Sequence, residues 1–560
     1  MTDENPSARA RLAAVLVPAL VLPAVLLGIG AAVGLEVDGK THWSVPLAVI
    51  AALVWTAAYV AELQEGGGEN PLYTRLLVGV AVAAFGLNTL PDLPRALQGE
   101  HVRTWNQFHY YLGAKYLEEV GWHDLYPAVL LADERRQEAK AAATPLERAA
   151  MEAVPDFGHA RQARSMTTYK IEPREVALEA YDASAWSPER LDELGRDSRW
   201  LRARAKDDNW ARRWTLDYGF NPAPPWTIFG TTLANAVPLG SAAYGFITTS
   251  DFAVHVLAIL AMWWAFGLRA GALTAIWIHT SPLNGRLVIG GFLNYDWLGA
   301  TVLGVAAYRK ERPVLSGLAL AYAGMTRVFP GVLILPVVGR WAWNVARRRP
   351  TLPLRRTFSM VFIAGCAVLF VGSHFTGRGL DTWPDWQEKI SKHSSLHATS
   401  GARRVGLGRL VRHAPKQHRF WRAQKLRSAE KERTRETVKH VAMAAGLALL
   451  LVALRRRTDV EAMLLMLFAV WLISVSSRYY ASVWVLLFAL PTHVSGARAP
   501  PGAVATWGLL LLGAVFYAPG GAVAQYLFFN YGALALFVGL CVAFVLQDRR
   551  TSTESVSPSP

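Results

Sequence analysis

The sequence predicts an all-α polytopic membrane protein of about fourteen transmembrane or half-membrane helices, with two helical or loop segments on its outer face. Three observations predict it. Of 560 residues, 52% are hydrophobic and 21 are tryptophan, with a positive mean hydropathy, a profile that excludes an ordinary soluble multidomain chain. Apolar runs that could span or nearly span a bilayer fall at about 12–34, 44–62, 75–91, 244–267, 272–283, 294–308, 314–326, 330–345, 357–375, 439–454, 460–475, 480–494, 503–519 and 527–546. Finally, Lys and Arg gather at the ends of those runs, as in "AYRKERP" (307–313), "ARRRP" (346–350) and "LRRRTD" (454–459). The formal charge of +16 is therefore explained by the positive-inside rule, without nucleic acid.

The N-terminal transmembrane part covers 1–91. Its first run, 12–34, lacks a small-residue cleavage site and reads as an uncleaved signal anchor. Residues 92–223 form an outer-face (periplasmic) segment rich in Arg, Glu and Ala. It carries helix signals such as "SPER" (187–190), with Ser187 as N-cap and Pro188 as the first helical residue, and is expected to be amphipathic helices lying on the membrane surface. The transmembrane core, 224–375, opens on the proline-bounded run "NPAPPWTIFGTTLANAVPLG" (221–240), expected as a re-entrant or interfacial helix. A basic outer-face loop at 376–438 precedes the C-terminal transmembrane helices at 439–550, and the tail 551–560 is disordered by composition. Runs shorter than roughly 20 residues must be bent, tilted or paired as half-helices.

Placing the basic clusters at 309–312, 347–356 and 455–457, with Arg269 and "QDRR" (547–550), in the cytoplasm makes the runs alternate. Both termini are then cytoplasmic, the two long polar segments share the outer face, and the expected home is the plasma (bacterial inner) membrane. The basic stretch 403–435 lies outside on this scheme, which long loops tolerate. Cys366 and Cys541 each sit in an apolar run and indicate neither disulfide nor zinc site.

Unusual polar residues then fall at one depth, near the outer ends of spans: "WNQFHYY" (105–111), "GWHDLY" (121–126), "LDYGFNP" (216–222), Asp251, His279, "LNYDW" (293–297), Arg327, His374 and "SSRYY" (476–480). Such convergence suggests one site. Its substrate-contacting candidates are His109, Tyr110, Tyr111, Asp251, His279, Asp296 and Tyr480. Each has a plainer role. Asp251 could only cap a helix, His109 and His279 could be structural, and the tyrosines beside Arg478 could belong to an aromatic belt. The i, i+4 pair His393 and His397 lacks a neighbouring carboxylate or cysteine for metal, and Asp207 with Asp208 reads as a solvated face. Arg327 is harder to explain structurally, because it lies in the apolar stretch "GLALAYAGMTRVFPGVLILPVV" (317–338) between arms with basic ends. It must sit at the outer turn of a helical hairpin, where arginine can hold phosphate bidentately.

These patterns resemble the GT-C class of integral-membrane glycosyltransferases, and most closely glycosyltransferase family 87, over about 75–495. "WNQFHYYLGAKYLEEVGWHDLY" is similar to that family's first outer loop, and "NPAPPWTIFGTTLANAVP" to its proline-led short helix. "RPVLSGLALAYAGMTRVFPGVLILP" is similar to its helical hairpin, with Arg327 in a lysine slot, and "WPDWQEKISKHSSLHATSGARRVGL" to the later loop that ends in "vGL". The resemblance implies a hexose, mannose-like, carried on a polyprenyl phosphate and passed at the outer face to a lipid-linked or glycan acceptor among membrane lipids. No metal or other cofactor is implied if cationic side chains take the leaving phosphate. Arg327 fits that role, with Arg478 and Arg404, or Arg403, beside it. The family's acidic slot falls on Asn106 or, in another register, on Gln107, and an amide is no base. Asp217 and Asp124 are then the candidate bases. Broken helices with a charge at the break would also suit a transporter or flippase of lipid-linked or anionic substrates, and the amide suits a non-catalytic scaffold of envelope assembly.

Overall fold

The computed structural model describes residues 44–65, 69–152, 160–205, 213–281, 288–399, 404–411, 428–491, 501–515 and 521–554. The expected anchor at 12–34, Asp207, Asp208, Arg403, the side chain of His397 and most of the basic stretch lie outside them. Among the described residues, six helices are long and apolar enough to cross a membrane: Pro46–Gln64, Pro71–Leu97, Tyr244–Phe266, Pro353–Phe375, Arg433–Ala453 and Gln525–Asp548. Most other expected runs are shorter helices, such as Leu268–Thr280, Asp296–Arg309, Pro313–Thr326, Asp459–Ile473 and Pro501–Val515. At 1.5 Å per residue, a 14-residue helix such as Pro313–Thr326 reaches about 21 Å, short of a hydrocarbon core of about 30 Å. The run after Arg327 is broken into Val328–Leu333 and Leu335–Ala346, and 480–494 is met by a 3₁₀ helix, Arg478–Ala489.

Charged residues close one end of the helical bundle. Asp459 accepts from Tyr308 Oη at 2.7 Å, Arg340 Nη1 at 2.7 Å and Arg355 Nε at 2.9 Å, and Arg457 pairs with Asp548. Three of the basic turns that the sequence groups together, with the end of the last helix, thus meet. A second tie is the buried pair Arg269–Glu62, at 2.6 Å, joined by Thr74. Arginine suits it because its fork bonds both carboxylate oxygens, which repays part of the desolvation of two charges.

The opposite end carries a second layer. The segment 92–223 is expected as amphipathic helices lying on the membrane surface, and within it residues such as Phe108, Leu112, Trp122, Tyr126, Leu194 and Trp214 bury an apolar core. Aromatic side chains make this possible, since each removes a large area from water. Ser187 caps the helix Pro188–Ala203 as expected, its hydroxyl accepting from Arg190 N. The 13-residue helix Pro224–Ala236 joins the layers. Its C-terminal carbonyls Ala234 O and Val237 O both accept from Tyr111 Oη, at 3.0 and 2.7 Å, and its first turn presents Trp226 to Phe292.

Candidate functional site

Arg327 occupies the extended link between two helices, with φ −142° and ψ 118°. The hairpin is tight there because Gly324 and Gly331 present no side chains between the arms. Arg327 is only 8% exposed. Its Nη2 donates to Tyr110 Oη at 3.1 Å, and its Nε has no partner among the described residues. Tyr110 is also hydrogen-bonded to Tyr479, whose ring lies 4.3 Å from that of Tyr480. Phe329 and Trp297 pack on Tyr480 with ring centroids at 4.9 and 5.5 Å. Burial pushes the Tyr110 phenol up from its ordinary value, so it is a neutral hydrogen-bonding group near neutral pH.

Arg404 reaches this cluster from the other outer segment. Arg404–Val405 pairs antiparallel with Ser476–Ser477, and Arg404 Nη1 donates to Ser477 Oγ at 2.7 Å. The pairing depends on Gly406, whose φ is +146° and whose added Cβ would lie 2.1 Å from Ser474 O, a position only glycine can take. Asn530 completes the joint, accepting from Gly406 N at 2.8 Å and donating to Arg404 O at 3.1 Å. The Arg404 guanidinium lies within electrostatic reach of Tyr479, Tyr218, Tyr480 and Asp217.

Asp217 follows the short turn Trp214–Leu216. Trp105 Nε1 donates to its Oδ2 at 2.9 Å, and His109 Nε2 stands 3.7 Å from the same oxygen. The His109 ring is held by Trp105 O at 2.7 Å and Tyr126 Oη at 2.9 Å, and its burial pushes its pKa below the usual imidazole value, against the pull of Asp217. About a third of the Asp217 side chain is exposed, which leaves the carboxylate open to a ligand.

Asp124 faces a different group, within reach of Arg378, Asp385 and Lys389, and burial raises its carboxyl pKa. Asn106 and Gln107 are occupied by the loop at 290–292. Asn106 Oδ1 accepts from Phe292 N at 2.8 Å, and Gln107 Nε2 donates to Gly290 O and Gly291 O at 3.2 and 3.1 Å. Asp251 is fully buried and accepts from Tyr295 N at 2.9 Å, so it shapes the same loop. His279 pairs with Thr89 Oγ1 at 2.8 Å. Tyr111 anchors the short helix, as described. Asp296 accepts from Tyr322 Oη and lies in the field of Arg327. Arg478 is half-buried at the head of the 3₁₀ helix, within reach of Tyr295. Among the described residues no group of three or more His, Cys, Asp or Glu is placed to hold a metal ion.

Sequence reasoning missed Trp105, Tyr126, Tyr322 and Lys389. All four lie inside stretches singled out in the sequence, so the signal was present but unassigned. Lys389 belongs to the polar helix Thr382–Thr399, where nothing distinguishes an inward lysine from its solvated neighbours.

A helical membrane chain that gathers arginines, phenols and an accessible carboxylate at one end has the parts for moving a group between an anionic carrier and an acceptor. The model of glycosyltransferase family 87 matches residues 223–477. With the apolar helices, that match indicates membrane glycosyltransferase activity. It includes the short helix, Arg327, Arg404 and Ser477, while the outer layer before 223, with Tyr110 and Asp217, precedes it. No curated protein and no solved structure matches the chain.

Proposed function

We propose that the chain is a GT-C-type enzyme that transfers a hexose from a polyprenyl-phosphate donor to a lipid-linked or glycan acceptor at the outer membrane face. The observation that carries this reading is the convergence of Arg327 and Arg404, from segments far apart in the chain, on the phenols Tyr110, Tyr479 and Tyr480, with Asp217 within electrostatic reach of Arg404. Two guanidiniums and a phenol suit a monoester phosphate, which offers several oxygens at once and gains negative charge as it leaves.

In the reaction, Asp217 takes the proton of the acceptor hydroxyl. The acceptor oxygen bonds to the anomeric carbon as the bond from that carbon to the phosphate oxygen breaks. Polyprenyl phosphate departs with the electron pair, held by Arg327, Arg404 and the Tyr110 hydroxyl. Trp105 keeps Asp217 oriented, and Arg478, at the rim, meets the phosphate or the acceptor. Asp217 is favoured over Asp124 because only Asp217 shares a field with Arg404. Asn106 has a structural task in holding the 290–292 loop.

The test incubates the purified protein with radiolabelled polyprenyl-phosphate hexose and membrane lipids. Wild type transfers label to an acceptor, D217N lowers kcat on the order of 100-fold or more, and D124N leaves most of the rate. Full activity in D217N would remove Asp217 from the mechanism, and translocation without transfer would favour a carrier instead.

A further inference from the structure

Lys389 is 1% exposed, which for a lysine demands a reason. Its ammonium donates to the carbonyl of Phe220, inside the loop that carries Asp217. That loop is held from two other points and by one bond within itself. Trp105 Nε1 bonds Asp217, Gly219 N donates to Tyr126 Oη at 2.8 Å, and Asn221 Nδ2 donates to Gly219 O at 3.2 Å. Gly219 has φ +69°, and a Cβ there would lie 2.8 Å from Lys389 Nζ, so the lysine head reaches its carbonyl only past a glycine. One residue of the second outer segment thus clamps the catalytic loop of the first.

We propose that Lys389 is a positioning residue for Asp217, holding the 217–221 loop by its hydrogen bond to Phe220. The proposal rests on the reading of Asp217 as the base. The groups around the amine are Asp217 on the loop, Asp124 and His123 on the 121–124 turn, and His109 on the helix Thr104–Lys115. On its own helix Asp385, Glu388, Lys392 and His393 lie near, with Arg378 just before it. Burial lowers the amine to about 7 against the pull of the two carboxylates. The charge is therefore present below neutrality and lost above it, while the neutral amine still bonds Phe220.

Isotope-labelled lysine NMR of the full-length protein, with the resonance identified by its loss in K389M and K389R, is expected to show one lysine titrating near pH 7. D217N is expected to move that midpoint down by roughly one unit, because it removes a nearby anion. In transfer assays K389M lowers kcat on the order of 100-fold through misplacement of Asp217, with little change in KM. K389R restores part of the rate and lacks the change above neutrality. A lysine that titrates above about pH 9, or a midpoint that D217N leaves unmoved, overturns the proposal. Should the titration behave as stated while wild type transfers no sugar, the donor reading fails and the link between Lys389 and Asp217 stands.

Discussion

Lysine at position 327 keeps the positive charge and removes the guanidinium fork, which separates the work of charge from that of geometry. In the native arrangement one arm of the fork is pinned on Tyr110 and Nε is buried with no partner among the described residues, so a second fixed donor is left for an anion in a site where little water competes. Losing one such fixed donor to a leaving oxyanion costs about 2.7–4 kcal/mol, or about 100- to 1000-fold in kcat. The folding cost is smaller, because only the bond to Tyr110 is lost, about 1.5–3 kcal/mol for a hydrogen bond to a charged group. Steady-state transfer from labelled polyprenyl-phosphate hexose, measured beside thermal melting of the same preparation, reads both. For R327K a kcat lower by at least 100-fold is expected, with a melting temperature only a few degrees lower. Wild-type kcat in R327K, or a loss that merely tracks the folded fraction, would refute phosphate binding by Arg327.

N106D places a carboxylate in the slot that the resemblance marks as acidic, yet the buried oxygen already serves Phe292 N; transfer is expected not to rise above wild type, and melting should fall because a charge is buried with few partners. E62Q leaves Arg269 buried and unpaired, which costs about 3–5 kcal/mol and should appear as a lower melting temperature without a selective loss of kcat in the folded fraction. Stability should also depend on Lys389. Its amine is held near 7 in the fold against an ordinary value of 10.5, so the unfolded chain binds a proton between those values that the folded chain lacks. Stability then rises with pH across that window, by up to about 1.4 kcal/mol per unit, and is flat from this source below pH 7. Melting of wild type and K389M from neutral to alkaline pH checks this, since the variant should lose that part of the slope.

The helices were legible because lipid leaves the backbone few choices: an apolar run must satisfy its own N–H and C=O groups, and helix does so. The grouping of basic turns was legible for the same electrostatic reason, and Asp459 shows three of those turns meeting. The number of full crossings was not, because a run of 13 or 14 residues such as Leu268–Thr280 or Asp296–Arg309 reads the same in sequence whether it stands alone or leans on a longer neighbour. Within the site, Arg327 announced itself as a charge among apolar residues. Asp251 and His279 carried the same signal and turned out to be engaged with the bundle's own loops and hydroxyls. Sequence cannot separate these cases, since a buried polar group stands out equally whether its partner is a substrate or a backbone amide.

On the proposed reading, the two polar segments 92–223 and 376–438 act together. Arg327 is fixed by the membrane hairpin, but Tyr110 and Asp217 come from the first outer segment, and Arg404 from the second through a strand pair that only Gly406 permits. In that reading the bundle supplies Arg327 alone, whereas Tyr110, Arg404 and Asp217 come from the polar segments packed against it. The first segment is bound to the second by Lys389, whose bond to Phe220 reaches within three residues of Asp217. By the same proposal, deletion of 376–438 removes Arg404 and Lys389 together and should lower transfer at least as far as D217N does.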